Sequence, residues 1–478
     1  MNNKFLLLSV CFFLSVLACR AQHIGDYVLN ISKINQDEGN MHVSCSFVID
    51  FQKSDSIVIN FGGDGMLSVE NLTIQTDTSS LKYSYQPDAR KLVFKKIQGR
   101  NIGVKMNYNY TNLSAFFIYG GGTAELWETS FNEHYYPCLP DCYADSTLNL
   151  ELPDSIFPLC SYPLKHTGSG KYGCRINGML QQSLSLALLQ KSAYIRTTAG
   201  EPYNMDIYQI AGMQCSKRRY DELLELARTS ISYFGKIYGD EYLCPQRGIT
   251  QYPAFVFHNG KGFSNRYNIG FISASQEKFS TYPDIYPLVH EIGHRWLGEW
   301  TLLIRDGQPG AYFIKESLNE FMTLMFLRHH FGNGLYLSLI EKYNAEYQKI
   351  INTPQDEPVV NLVENNNNTV VYRKGPLILD RFAKEIGYEN CISLISSFYQ
   401  KYAGKPNLKY SDFINLVNST WPNAANKLKN WIENLVQLSC YHSAGILTNV
   451  ELIITSAHTT DYAMRNRRQD EKKGNDQQ

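Results

Sequence analysis

Between residues 26 and 203 the apolar positions fall in short runs rich in Val, Ile, Phe and Tyr, at 42–51, 56–61, 91–97 and 101–110, separated by Gly, Asn and Asp. Runs of this length bounded by turn formers predict β-strands. Near Lys217 the period changes. Tyr220, Leu223, Leu224, Ala227, Ile231 and Phe234 recur at three and four, which predicts an amphipathic helix ending at Tyr238-Gly239. From there to Val436 helical patterns dominate. The exception is 252–257, the turn 259–262 and 267–273, which predict a hairpin at the edge of a small sheet. The pattern therefore predicts an N-terminal all-β domain followed by a mostly helical α+β domain, with no internal repeat.

Composition excludes several function classes. The 478 residues suit two or three domains, and 45 Lys+Arg against 45 Asp+Glu leave no general attraction for phosphate backbones, which argues against a nucleic-acid partner. The first residues belong outside the fold, because Lys4 precedes an apolar run from Phe5 to Ala18 that is short for a bilayer span and reads as an export signal. Two cleavage sites fit: before Gln22, after small Ala21, and before Cys19, where Val16-Leu17-Ala18-Cys19 resembles a bacterial lipobox and would carry a lipid anchor. No later stretch is long and apolar enough for a transmembrane helix, so the expected location is the bacterial cell envelope, periplasmic or lipid-anchored, or the exterior. The expected division is signal 1–21, β domain 22–204, helical domain 205–440 and a C-terminal extension 441–478 whose charged end lacks fixed structure.

Nine cysteines follow the signal, so at least one stays unpaired. Cys138 and Cys142 have a zinc-compatible gap but no neighbouring ligands, and a local disulfide or buried thiols fit better. The chemically informative stretch is His290-Glu291-Ile292-Gly293-His294-Arg295-Trp296-Leu297-Gly298. Two His four apart share one helical face, so both imidazoles can reach one metal while the intervening Glu faces the position of a water. A catalytic zinc takes three protein ligands, and the third must come from another element. Ile314-Lys315-Glu316-Ser317-Leu318-Asn319-Glu320-Phe321 opens a helical pattern and is the best source: Glu316 as ligand, with Glu320 one turn later placed to accept the free N–H of a ligand His. His329-His330 are adjacent on a helix, with rings about 100° apart, and cannot chelate as an i,i+4 pair does. Gly120-Gly121-Gly122 reads as a turn rather than a phosphate cradle.

These motifs resemble the gluzincin peptidases of the aminopeptidase N and leukotriene-hydrolase type. His294-Arg295-Trp296-Leu297-Gly298 keeps the Trp and Gly that come after the family's HExxH, Lys315-Glu316-Ser317-Leu318 corresponds to its zinc-Glu helix, and Val371-Tyr372-Arg373-Lys374-Gly375 to its Tyr-Glu-Lys-Gly segment. Tyr136-Pro137-Cys138 stands where the β domain of the family has Phe-Pro-Cys. The resemblance runs from about residue 40 to 436 and implies a thermolysin-like zinc peptidase domain over 205–440. It implies one Zn(2+) per chain on His290, His294 and Glu316, Glu291 as general base, Tyr372 as oxyanion donor, and peptides as substrates. Glu128, nine residues before Pro137, corresponds to one of two family acids that bind the substrate α-amine. There are departures. The gap 295–315 is longer than usual, Glu299 replaces the Asn next to the Gly, and 264–268, where the family's Gly-x-Met-Glu-Asn should fall, contains Arg266 and no Glu. The resemblance therefore favours an aminopeptidase. The alternatives are a peptidase cutting internally or releasing dipeptides, and a non-catalytic binding protein on the same fold.

Overall fold

The structure is a computed structural model that describes residues 23–35, 40–51, 54–62, 67–77, 81–98, 101–112, 117–120, 123–129, 135–139, 143–180, 184–198, 204–212, 217–244, 249, 251–258, 266–268, 270–275, 286–298, 301–304, 307–362, 367–405 and 408–435. The expected export signal with Cys19, and Cys142, Glu299 and the charged tail, lie outside the described residues.

Strands occupy the chain from His23 to Ile210, and helices dominate after Lys217. Among the described residues the largest sheet has seven strands, in spatial order Lys165–Gly168, Lys171–Leu180, Tyr143–Glu151, His23–Asn35, Asn40–Asp50, Asn101–Asn112 and Leu67–Thr76. Its logic is legible in Asn40–Asp50, where buried and half-buried residues alternate without a break. Met41, Val43, Cys45, Phe47 and Ile49 are buried and stand opposite Tyr110, Tyr108, Met106, Val104 and Ile102, which are buried too. A one-residue slip would turn this whole row toward solvent, so burial fixes the register. A four-stranded sheet (Ile156–Cys160, Leu186–Gln190, Thr123–Thr129, Phe117–Gly120) and a three-stranded one (Ser56–Asn60, Lys91–Lys96, Leu81–Gln86) complete the β part.

The small sheet ahead of the helices differs from the expected hairpin. Ala254–His258 is buried at all five positions and pairs in parallel with Phe271–Ser275 on one side and Asp206–Ile210 on the other. The antiparallel partner of Phe271–Ser275 is instead the short Arg266–Asn268. A strand covered on both faces carries no alternation, so its sequence says nothing about direction. Tyr194–Thr198 and Asp206–Ile210 form an antiparallel pair that joins the same sheet, which therefore draws strands from both sides of residue 204.

Among the described residues the α-helices are α1 (Lys217–Tyr238), α2 (Pro287–Gly293), α3 (Leu318–Phe331), α4 (Asn333–Gln348), α5 (Gly375–Ile386), α6 (Tyr388–Tyr402), α7 (Tyr410–Thr420) and α8 (Pro422–Glu433). All six apolar positions that predict α1 are buried. In α3 every residue from Leu318 to Leu327 is buried, which makes it the central helix, surrounded on all sides. Among the described residues no helix is long and apolar enough to cross a membrane. The described cysteines Cys45, Cys138, Cys160, Cys174, Cys244 and Cys391 are free thiols, and burial pushes that of Cys45 up to about 12, so it is inert.

Candidate metal centre

α2 starts with Pro287 at its first position, where the missing N–H costs nothing, and ends as soon as it has delivered two histidines. His290 lies inside the helix. His294 is its C-terminal cap with helical dihedrals (φ −60°, ψ −16°), so the two rings stay on one face with centroids 4.7 Å apart. The chain beyond His294 is locked in place. Arg295, fully buried, donates to the Tyr242 carbonyl (2.8 Å), Thr301 Oγ1 (2.6 Å) and the Glu241 carbonyl (2.9 Å). The Trp296 indole N–H donates to the Asp240 carbonyl at 2.8 Å, and its ring packs 5.6 Å from Phe234 of α1. The helix predicted over 217–238 thus supports the chain leaving the second histidine.

Glu316 reaches the histidines from a π-helical turn, Phe313–Ser317, which runs directly into α3: the Leu318 N–H bonds back five residues to the Phe313 carbonyl. Tyr372 sits on a second such turn, Val370–Lys374, ahead of α5. Single π turns of this kind re-aim side chains and recur at functional sites. The two turns touch through Ser317, whose hydroxyl donates to the Val371 carbonyl at 2.7 Å. A Cβ on Gly375 would stand 2.0 Å from Ser317 Oγ, so only glycine permits this approach.

The side chains of His290, His294 and Glu316 converge: one ligand atom from each lies within 4.8 Å of the others, and all three residues are buried. Glu316 Oε2 is 3.2 Å from His290 Nε2 and 3.4 Å from His294 Nε2. Each remaining ring nitrogen lies beside an oxygen, that of His294 in hydrogen-bond geometry and that of His290 at ion-pair distance only. His294 Nδ1 lies 3.0 Å from the Leu297 carbonyl, and His290 Nδ1 lies 2.7 Å from Glu320 Oε2. An acceptor at the second nitrogen orients a metal-binding imidazole, as the Leu297 carbonyl does for His294, and the donor set of two imidazoles and one carboxylate fits a divalent cation such as zinc. Burial disfavours charge on His290, but Glu316 and Glu320 outweigh it and hold its pKa well above the ordinary range; His294 is raised similarly, chiefly by Glu316. Burial alone would raise the carboxyls. The histidines instead keep Glu316 well below its usual value, and His290 keeps Glu320 below it.

The structure brings Tyr372 to the same place, its ring 5.6 Å from that of His290. Glu291, between the histidines, stays partly exposed while the residues on either side are buried. Glu128 lies on strand Thr123–Thr129 opposite Ala187, and Arg266 on Arg266–Asn268 opposite Ser273; the side chains of both lie outside the described residues. Sequence reasoning missed three residues. Asn319 donates to the His290 carbonyl at 2.7 Å; its place one turn after Glu316 was the available signal. Ser317 and Tyr343 had none. Tyr343, on α4, donates its hydroxyl to Glu320, and burial pushes its pKa well up, so it remains a donor.

No family model matches the chain, and no curated protein matches it by sequence. Solved structures do. Native yeast LTA4 hydrolase superposes with a TM-score of 0.68 at 16% identity, covering 88% of this chain and 69% of that one. An M1 zinc metallopeptidase from Deinococcus radiodurans gives 0.61 at 13%, covering 87% and 95%, and a mutant of it bound to a Tyr-Ser-Ala substrate gives 0.61 at 12%, again covering 87% and 95%. The chain has the fold of these proteins, an N-terminal β-sheet domain followed by a helical region, as the motif resemblance implied.

Proposed function

We propose that the protein is a zinc-dependent metallopeptidase whose leading activity is removal of N-terminal residues from peptides. The observation that carries this reading is the buried convergence of His290, His294 and Glu316, with His294 Nδ1 held by the Leu297 carbonyl and His290 Nδ1 2.7 Å from Glu320. These three would hold the metal, one zinc per chain. Zinc, when bound, supplies Lewis acidity toward a scissile carbonyl and acidifies water. Glu291 then takes a proton from the attacking water and returns it to the leaving amine, a role its partial exposure beside the trio suits. Tyr372, beside His290, donates its hydroxyl to the oxygen on which charge develops. Glu128 binds the substrate α-ammonium, which needs a carboxylate because burying an unpaired cation costs several kcal/mol.

Support from the comparisons is of the same kind, since a protein of this fold has been seen with a tripeptide substrate. In the same reading residues 1–21 are an export signal, 22–204 the β domain and 205–440 the peptidase domain, and the mature protein works in the cell envelope or outside it. A second reading, cutting inward from the terminus, is favoured by one feature: the segment 264–268, near which the family's second amine-binding Glu should fall, has no Glu and contains Arg266, which would repel an ammonium. The deciding experiment is metal analysis of purified protein together with hydrolysis of one peptide bearing a free or an acetylated N-terminus. About one zinc per chain, lost in His294→Ala and Glu316→Gln, and faster cleavage of the free peptide are expected. Stoichiometric zinc surviving both substitutions would move the metal elsewhere, and faster cleavage of the acetylated peptide would eliminate the aminopeptidase assignment.

A further inference from the structure

We propose that Tyr343 is a positioning residue that ties the two halves of the site together: its hydroxyl fixes the Glu320 carboxylate against His290, and its ring holds Arg373, the neighbour of Tyr372. The inference rests on the zinc-peptidase reading. It begins with the geometry around Glu320, whose two oxygens do different work. Oε2 lies 2.7 Å from His290 Nδ1, and Oε1 accepts the Tyr343 hydroxyl. The terminal torsion of a Glu side chain is broad, so the ion-pair contact with His290 alone would leave the carboxylate free to rock. The hydrogen bond from a fully buried phenol on a different helix removes that freedom and keeps the carboxylate beside His290 Nδ1 while Nε2 faces Glu316.

The ring face of Tyr343 is also used. The Arg373 guanidinium carbon lies 4.3 Å from its centroid, a cation–π distance, and Arg373 Nε pairs with Glu346, one turn further along α4. Arg373 Nη1 donates to the Tyr372 carbonyl at 3.0 Å. The π-helical turn that carries Tyr372 is thereby fastened to α4 through the residue at which this chain departs from the family's Tyr-Glu-Lys-Gly. A glutamate at 373 could make neither the stack nor the pair with Glu346. The substitution and Tyr343 therefore form one device.

A core tyrosine that only fills space would affect folding stability but not the metal affinity of folded molecules, and this difference supplies the test. Full-length wild type, Tyr343→Phe, Glu320→Gln, the double variant and Arg373→Gln are compared by zinc competition against a chromophoric chelator and by steady-state peptide hydrolysis, with melting curves to confirm folding. Phe keeps the ring and its stack and removes only the hydroxyl. Tyr343→Phe and Glu320→Gln should each weaken zinc binding about 10- to 100-fold, and the double variant should be little worse than Glu320→Gln alone because the two act as one unit. Arg373→Gln should leave zinc affinity within about twofold and lower kcat with KM nearly unchanged, the pattern of an interaction made in the transition state. Unchanged zinc affinity in Tyr343→Phe beside a loss in Glu320→Gln, or fully additive losses in the double variant, would overturn the proposal and leave the zinc reading standing. Absence of zinc from the wild type would instead sink the reading on which it rests. If Tyr343→Phe does not fold, an unchanged kcat in Arg373→Gln overturns the proposal by itself.

Discussion

Glu291 is the residue whose role is most cleanly separated from metal binding. It sits between the two histidines on α2, partly exposed, and outside the converging trio. Glu291→Gln keeps the shape and removes the proposed base, so hydrolysis should fall by roughly two to four orders of magnitude while zinc content, measured on the same sample, stays at the wild-type level. The titration of the trio gives a second expectation. His290 and His294 are raised above 6.5 by Glu316 and Glu320, and zinc takes neutral imidazole, so binding must expel protons. Zinc affinity should therefore rise with pH until the raised histidine values are passed, and then level off; a flat profile from mildly acid to alkaline pH would contradict this. In metal-free protein the signs run both ways. The raised histidines contribute stability that is complete below 6.5 and lost as pH climbs through their folded values. The lowered glutamates contribute stability that is complete above 4.5 and lost as pH falls through theirs. Both contributions are present between 4.5 and 6.5, where chelated protein should melt highest as far as these groups decide it.

At the level of elements, the site depends on a short helix pressed against a long one. Gly293 is where they meet: a Cβ there would lie 2.1 Å from Asn319 Oδ1, and Asn319 is the residue whose amide caps the His290 carbonyl. Gly293→Ala should displace Asn319 and destabilise the protein by about 1 to 3 kcal/mol, the usual cost of overpacking, visible as a lower denaturant midpoint with an unchanged slope. α1 is legible because its buried stripe recurs at helical spacing on one face, and that stripe is what Trp296 packs against. The strand Ala254–His258 reads as half of a hairpin, wrongly, because five buried positions carry no direction. The π-helical turns are not legible at all. A single extra residue per turn leaves no periodic trace, and only packing against a neighbour stabilises it.

For the whole molecule, the proposed specificity joins two parts, because the acid expected to read the substrate terminus comes from the β part and the proposed metal ligands from the helical part. If Glu128 binds the α-ammonium, Glu128→Gln should reduce the preference for free over acetylated peptides by about 1 to 3 kcal/mol in kcat/KM, with zinc content unchanged. An unaltered preference would remove Glu128 from the site. The same division between near and far explains what could be read in advance. The sequence by itself determined that His290 and His294 face the same way, since four-residue spacing on a helix is a local property, and which metals their chemistry favours, since residue type sets ligand softness. Amphipathic α1 and the alternating strand Asn40–Asp50 were likewise local, each carrying its own burial pattern. Only the tertiary structure decided that Glu316, 26 residues beyond His290, stands within 3.2 Å of it, that Ser317 locks onto the turn bearing Tyr372, and that Tyr343 from α4 reaches Glu320. Those contacts join elements remote in the chain, and they exist because burial brings the elements together, a cause that leaves no period in the sequence to be read.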